Sequence, residues 1–240
     1  MHDSNRALNF PSLLNARDLG GYPTTDGALT RWRSLLRADD LAQLTDEGLR
    51  AMAEFGIETV VDLRWPKEVQ ASPSPISAGL PRVRYHQISL LARTEDEWEV
   101  MRADCTKETW KCTVLDNART ELATVLHVIA ESSPGPLLFH CVAGKDRTGV
   151  IAALMLALAD VDPDAIAYDY ALSTTRLREG YLQRYAHKDA AEILEALRCP
   201  EEGVHNMLEY LRQAGGIRAY LEDIGLSARD VERLRARLRS

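Results

Sequence analysis

The segment His140-Cys-Val-Ala-Gly-Lys-Asp-Arg-Thr-Gly149 carries residues whose types and spacing can do chemistry together. Cys141 is a nucleophile when held as a thiolate. Arg147 offers a planar fork that matches phosphate oxygens. Between them a short loop can curl so that the N–H groups of Val142, Ala143, Gly144, Lys145, Asp146 and Arg147 point inward. Gly144 permits the tight backbone this needs. Such a ring of N–H groups at a helix N-terminus binds anions, and the same field favours the thiolate. The pattern predicts attack of Cys141 on phosphorus, a cysteinyl-phosphate intermediate, and its hydrolysis by water.

Phosphoryl transfer also needs a proton for the leaving oxygen. Asp146, beside Arg147, can supply it; its other reading is a loop-bracing salt bridge. Asp62, Asp104 and Asp116 are the competing acids. Asp62 also reads as a brace for Arg147 or the loop. Thr148 can place a hydroxyl near the Cys141 sulfur and ease its departure in the second step. His140 is expected to order the loop. Lys145 reads either as a solvated side chain or as recognition of a second phosphate. Asn15, Arg17 and Asp18 are expected to brace the loop, and Arg64 and Glu68 to form a structural ion pair.

Competing readings of Cys141 are a buried structural thiol and a rhodanese-type sulfurtransferase loop. The second has no need of Asp-Arg-Thr-Gly. A nucleotide-binding loop fails because Asp146, not Ser or Thr, follows the lysine. A phosphate-binding module without turnover would lose Cys141 or the acid, and both are present.

The loop must be positioned by a strand before it and a helix after it. Leu137 to His140 reads as that strand, and Thr148 to Asp160, apolar nearly all round, as a buried helix. Upstream, residues 10–40 read as an extended segment and a hairpin around Asp26-Gly27. Thr45 can cap a helix to Phe55 that stops at Gly56. Ile57 to Leu63 is rich in β-branched residues and reads as a buried strand. Pro66, Pro73, Pro75 and Pro81 read as a loop, and Val83 to Leu90 as a further strand. Residues 91–116 give no clear pattern. Asn117 to Ser132 has helical spacing. Downstream, Asp164 to Ser173, Thr174 to Leu197 and Glu202 to Ala214 read as helices, and Ser227 opens an S-x-x-D cap before a last one. The expected fold is α/β, one domain over residues 1–240, with a central, largely parallel sheet flanked by helices.

The 240 residues carry a net charge of −7, which argues against a nucleic-acid partner. The longest apolar run, Val150 to Ala159, is about half of what a bilayer needs, so no membrane insertion is expected. Met1 to Asn9 has neither a basic start nor an apolar run, which points to the cytoplasm; signal-independent secretion leaves no such trace. Cys105, Cys112, Cys141 and Cys199 form no CxxC pair. Neither a disulfide framework nor a zinc site is expected, and Cys105, Cys112 and Cys199 read as inert. No cofactor is expected, and the oligomeric state is open.

HC-x5-R followed by Thr resembles the signature of cysteine-based tyrosine and dual-specificity phosphatases. The fuller HCVAGKDRTG is similar to one bacterial branch, the tyrosine phosphatases that also act on phosphoinositides, which includes secreted phosphatases of mycobacteria and Listeria. Asn15-Ala-Arg-Asp-Leu-Gly-Gly21, Asp62-Leu-Arg-Trp-Pro-Lys-Glu68 and Asp169-Tyr-Ala-Leu-Ser173 resemble further motifs of that branch. The resemblance implies a cysteine-phosphatase-like fold, an acid at the position of Asp146, and a helical lid within residues 174–212. It also implies phosphorylated protein or phosphoinositide substrates.

Overall fold

The computed structural model describes residues 5–80, 82–90 and 105–239. Among them a five-stranded sheet runs in the order β1-β2-β5-β3-β4. The strands are β1 (Arg17–Asp18), β2 (Leu35–Ala38), β3 (Thr59–Asp62), β4 (Arg84–Gln87) and β5 (Leu137–His140). β1 pairs antiparallel to β2, and the other pairings are parallel. The sheet is therefore largely parallel, with the strand that delivers Cys141 at its centre.

Alternation along the three inner strands separates two cores. Leu35, Val61, Leu137 and Phe139 join one cluster, together with helical residues from Val114 to Leu238. Leu36, Ala38, Val60 and Leu138 join the other, with Met52, Ile57, Ile76 and Phe10. Burial on both faces explains why these strands read as near-continuous apolar runs.

The helices are α1 (Asp46–Phe55), α2 (Pro66–Ala71), α3 (Trp110–Asn117), α4 (Arg119–Glu131), α5 (Asp146–Leu158), α6 (Pro163–Arg184), α7 (Ala190–Leu197), α8 (Glu202–Gln213), α9 (Ile217–Asp223) and α10 (Ala228–Leu238). Thr45 caps α1 and Gly56 ends it in the left-handed region, as expected. Ser227 and Asp230 form the reciprocal cap of α10.

Three expectations need correction. Pro66 and Pro75 do not lie in a loop but open α2 and a 3-10 turn, because proline at the first helical position sacrifices an N–H that has no intrahelical acceptor. Asp164–Ser173 and Thr174–Leu197 are not separate helices. One helix, α6, runs through Ser173 without a breaker, and the break comes before Asp189, whose side chain caps α7. Residues 110–116, left without a pattern, belong to α3, which also takes in Asn117 from the next expected helix.

β2 carries one charge among its apolar residues, Arg37, which shares a face with Leu35 and is fully buried. Its partner is Asp169 on α6. Asp169 also accepts from Arg17 Nε at 2.8 Å and Tyr22 Oη at 2.9 Å, and its own carbonyl accepts from Arg17 Nη2 at 2.7 Å. Burial alone would raise the Asp169 pKa, but Arg17 and Arg37 hold it well below the usual carboxylate range. The cluster ties α6 to both β1 and β2. Replacing Asp169 with asparagine strands two buried guanidinium groups and should cost about 3 kcal/mol or more in urea unfolding at pH 7. A carboxylate whose folded pKa is depressed contributes fully above about pH 5 and loses its contribution as the pH falls through the folded value. The gap between native protein and Asp169→Asn should therefore narrow in acid.

Candidate active site

The parallel register sets Ala38, His140 and Asp62 side by side at the C-terminal edge of the sheet. The chain after each strand end, at Asp39, Cys141 and Leu63, thus emerges at one place, which is where α/β sites form. From Cys141 the backbone turns through residues 142–145 and enters α5 at Asp146.

The loop's carbonyl groups are taken by the scaffold. Val142 O accepts from Asp40 N at 3.0 Å. Ala143 O and Gly144 O accept from Asn15 Nδ2 at 3.0 and 3.1 Å. Gly144 O also accepts from Arg37 Nη2 at 2.7 Å. In a trans peptide the C=O and the following N–H point in opposite directions. Anchoring these three carbonyls therefore turns the N–H groups of Ala143, Gly144 and Lys145 the other way. Gly144 has φ +65°, and a Cβ there would sit 2.3 Å from Ala38 O, so only glycine fits.

Cys141 is 3% exposed, and Thr148 Oγ1 donates to its Sγ at 3.1 Å. Arg147 forms a bidentate pair with Glu68, at 2.6 Å from Nη1 and 2.9 Å from Nη2. Burial works against the Arg147 cation, but the Glu68 bonds, with Cys141 and Asp146 nearby, raise its pKa above the ordinary guanidinium value. Glu68 Oε2 also accepts the Trp65 N–H at 2.7 Å, so the carboxylate caps α2 as it holds Arg147. A guanidinium has two forks. With one on Glu68, the Nε–Nη2 edge is left for an anion.

Asp146 opens α5. Its Oδ1 accepts from Tyr170 Oη at 3.2 Å, and Oδ2 lies 3.5 Å from Lys145 Nζ. Lys145 Nζ donates to Ala196 O on α7 at 2.6 Å. A cleft of about 320 Å³ opens here, with Lys145, Asp146, Arg147, Glu68 and Lys107 on its lining and Trp65 and Trp110 among its walls. Ala143 packs against a cluster formed by Leu177 of α6 with Ile193 and Leu197 of α7, which places this cluster beside the loop.

Other candidates fall elsewhere. Asp62 is fully buried and engaged by Arg64 Nη2 at 2.7 Å and Tyr85 Oη at 2.6 Å. Burial would raise its pKa; His140, Arg64 and Tyr85 bring it below the usual value. It braces Arg64 and not Arg147. Arg64 in turn reaches Asp40 at 2.8 Å. The expected Arg64–Glu68 pair is therefore replaced by Arg64 with Asp62 and Asp40, and by Glu68 with Arg147. His140 Nδ1 faces Cys141 O at 3.2 Å, and Nε2 lies 3.5 Å from Asp62. Burial pushes the imidazole pKa down in spite of Asp62. Asn15, just before β1, braces the loop and is held by Arg17, whereas Asp18 accepts from the Gly20 and Arg33 N–H groups and does not reach the loop. Asp116 is hydrogen-bonded to Tyr210 on α8, and Asp104 lies outside the described residues. All four cysteines are free thiols. Among the described residues no cluster of potential metal ligands occurs, and no helix is long and apolar enough to cross a membrane.

Arg37 shapes the site without having been singled out, and Glu68, Asp169 and Tyr170 do so in roles that their motif resemblance did not specify. A signal existed for Arg37: a lone guanidinium in an otherwise apolar central strand requires a buried acid.

Residues 8–240 match the Tyrosine phosphatase family. A tyrosine-protein phosphatase of Nostoc commune is 32% identical over 218 residues, covering 85% of this chain and 74% of that one. The triple specificity protein phosphatase PtpB of Mycobacterium tuberculosis is 27% identical, covering 94% of this chain and 96% of its own. Among solved structures, the Siw14 catalytic core aligns with a TM-score of 0.39 at 13% identity, over 80% of this chain and 92% of that one. The chain belongs to the tyrosine phosphatase family. It is an enzyme, a tyrosine phosphatase.

If Glu68 aims Arg147, then Glu68→Gln should lower kcat/KM for an aryl phosphate by about tenfold or more. Steady-state kinetics at neutral pH would show this, and an unchanged kcat/KM would remove Glu68 from the site.

Proposed function

We propose that Cys141 is the nucleophile, that Arg147 and the N–H groups of residues 142–147 hold the phosphoryl group, and that Asp146 is the general acid and then the general base. The observation that carries this reading is the loop itself: Cys141 at its base, its carbonyls anchored outward, and Arg147 with one fork on Glu68 and the other edge open. In the first step the Cys141 sulfur forms an S–P bond as the P–O bond to the leaving group breaks. Asp146 gives its proton to the departing oxygen. In the second step water attacks phosphorus and passes a proton to Asp146. The S–P bond then breaks, releasing inorganic phosphate and the thiolate. Thr148 donates to that sulfur as negative charge returns to it. The inward N–H groups and Arg147 are fixed before substrate arrives, which is the condition for effective stabilisation of spread charge.

Residues 1–240 act on this reading as one phosphatase domain. The helices within residues 174–212 serve as its cover, since Lys145 reaches across to Ala196. A substrate range that extends from phosphotyrosine to phosphoserine, phosphothreonine and phosphoinositides has one feature in its favour. Lys107 and Lys145 line the same cleft as Arg147, so a second phosphate would meet positive charge. The relative named for triple specificity is compatible with that breadth.

Two measurements test the chemistry. Hydrolysis of p-nitrophenyl phosphate should persist in EDTA and fall by roughly a thousandfold or more in Cys141→Ser; activity unchanged in that variant would end the mechanism. Asp146→Asn should lower kcat for a poor leaving group more than for p-nitrophenol, because a good leaving group needs less protonation. Equal losses on both would shift the acid to another residue.

A further inference from the structure

Lys111, on α3, is fully buried, and its Nζ has no hydrogen-bond partner among the described residues. What it touches is a π face: Nζ lies 3.4 Å from the centroid of the Tyr170 ring. Gly203 of α8 abuts the same nitrogen. Taking an ammonium out of water without hydrogen bonds costs several kcal/mol, and a methionine would fill the space without that cost. Packing therefore does not account for this residue.

The Tyr170 ring links it to the reacting groups. The ring also meets α5, so closely that a Cβ at Gly149 would lie 2.9 Å from Cδ2. The hydroxyl donates to Asp146 Oδ1. Tyr170 thus packs against both α5 and the Lys111 ammonium, with its O–H on one carboxylate oxygen of Asp146. We propose that Lys111 is a positioning residue for Asp146. Acting through Tyr170, the buried cation sets the orientation and the protonation balance of the carboxyl group that serves the reaction. The inference rests on the reading of Asp146 as the acid.

The groups facing this cluster are Lys145 and Arg147 from the loop and α5, Arg37 from β2, and the Cys199 thiol, which follows α7 and lies beside Tyr170. Burial pushes the Lys111 pKa down to about 8, against the pull of Asp146. The cation is therefore still present at neutral pH. Removing a cation from beside a carboxylic acid raises the pH at which the acid ionises. Removing a donated O–H bond to its charged form acts in the same direction.

The test is the pH profile of kcat for an aryl phosphate with a poor leaving group, measured for the native enzyme, Lys111→Met, Tyr170→Phe and Asp146→Asn. The limb lost in Asp146→Asn should move to higher pH by about one unit in Lys111→Met, a change of about tenfold in rate at fixed pH on that limb. It should move the same way in Tyr170→Phe. In the Asp146→Asn background, adding Lys111→Met should change kcat less than twofold. Thermal stability should be unchanged or higher in Lys111→Met. If Asp146→Asn abolishes the limb but neither other variant moves it, the positioning role of Lys111 is wrong and the acid assignment stands. A uniform loss at every pH, equal in both backgrounds, would likewise reduce Lys111 to a structural part. If Asp146→Asn keeps the limb, the acid assignment falls and takes this inference with it. Should Lys111→Met fail to fold, Tyr170→Phe, which keeps the ring, decides by the same profile.

Discussion

The site depends on where the carbonyls of one short loop are sent. A loop that binds phosphate through its N–H groups must dispose of its C=O groups, and in a buried position each must find a donor. Here the donors are Asp40 N–H, the Asn15 amide and the Arg37 guanidinium. None is free to move. Asn15 is held by Arg17, and Arg17 and Arg37 are both held by Asp169. A carboxylate on α6 thereby fixes, through two arginines and an asparagine, the direction of peptide groups that it does not touch. This explains why buried charge is tolerated at the heart of the sheet. The same groups written as apolar residues would pack as well, but would leave the loop carbonyls without donors.

The acidic chain reconciles its net charge of −7 with an anion site by pairing. Arg64 is matched by Asp62 and Asp40, and Arg17 and Arg37 by Asp169. Arg147 meets Glu68 along one edge only. The uncompensated attraction for an anion therefore comes from that open edge, the inward N–H groups and the N-terminal end of α5, since Lys145 lies beside Asp146 and Lys107 pairs with Glu195. Distance and orientation concentrate it, and bulk charge does not.

What was legible in the sequence was local. His140-Cys-Val-Ala-Gly-Lys-Asp-Arg-Thr is a contiguous string, so the strand, the turn and the helix start that it encodes could be placed to within two residues. Caps such as Thr45 and Ser227 act over three residues and were visible for the same reason. The partners of buried charges were not. Glu68 lies four residues from Arg64 and 79 from Arg147, yet it pairs with the distant one. Sequence proximity favoured Arg64, while the fold had already committed Arg64 to two aspartates on the other side. Arg37 and Asp169 are 132 residues apart, and Lys111 reads as one more charge in a stretch without periodicity. In each case the deciding term is desolvation, which exists only once the elements have packed.

Placing the candidate acid inside the candidate nucleophile's own loop has a geometric consequence. Asp146 and Arg147 are consecutive residues of one helix, so their side chains leave the axis about 100° apart. Left to rotamer preference they would not serve the same phosphoryl group. The structure resolves this by giving each a different partner. Glu68, which also caps α2, takes Arg147, and Tyr170 on α6 takes Asp146. Both side chains then line one cleft. An acid carried on a separate mobile segment would need to be ordered at each turnover. Here the ordering cost is met once, on folding, and the reacting groups keep their spacing by covalent connection. The requirement is that α2, α5 and α6 hold their places together, which is why a charge network buried between α6 and the sheet matters to chemistry at the sheet's edge.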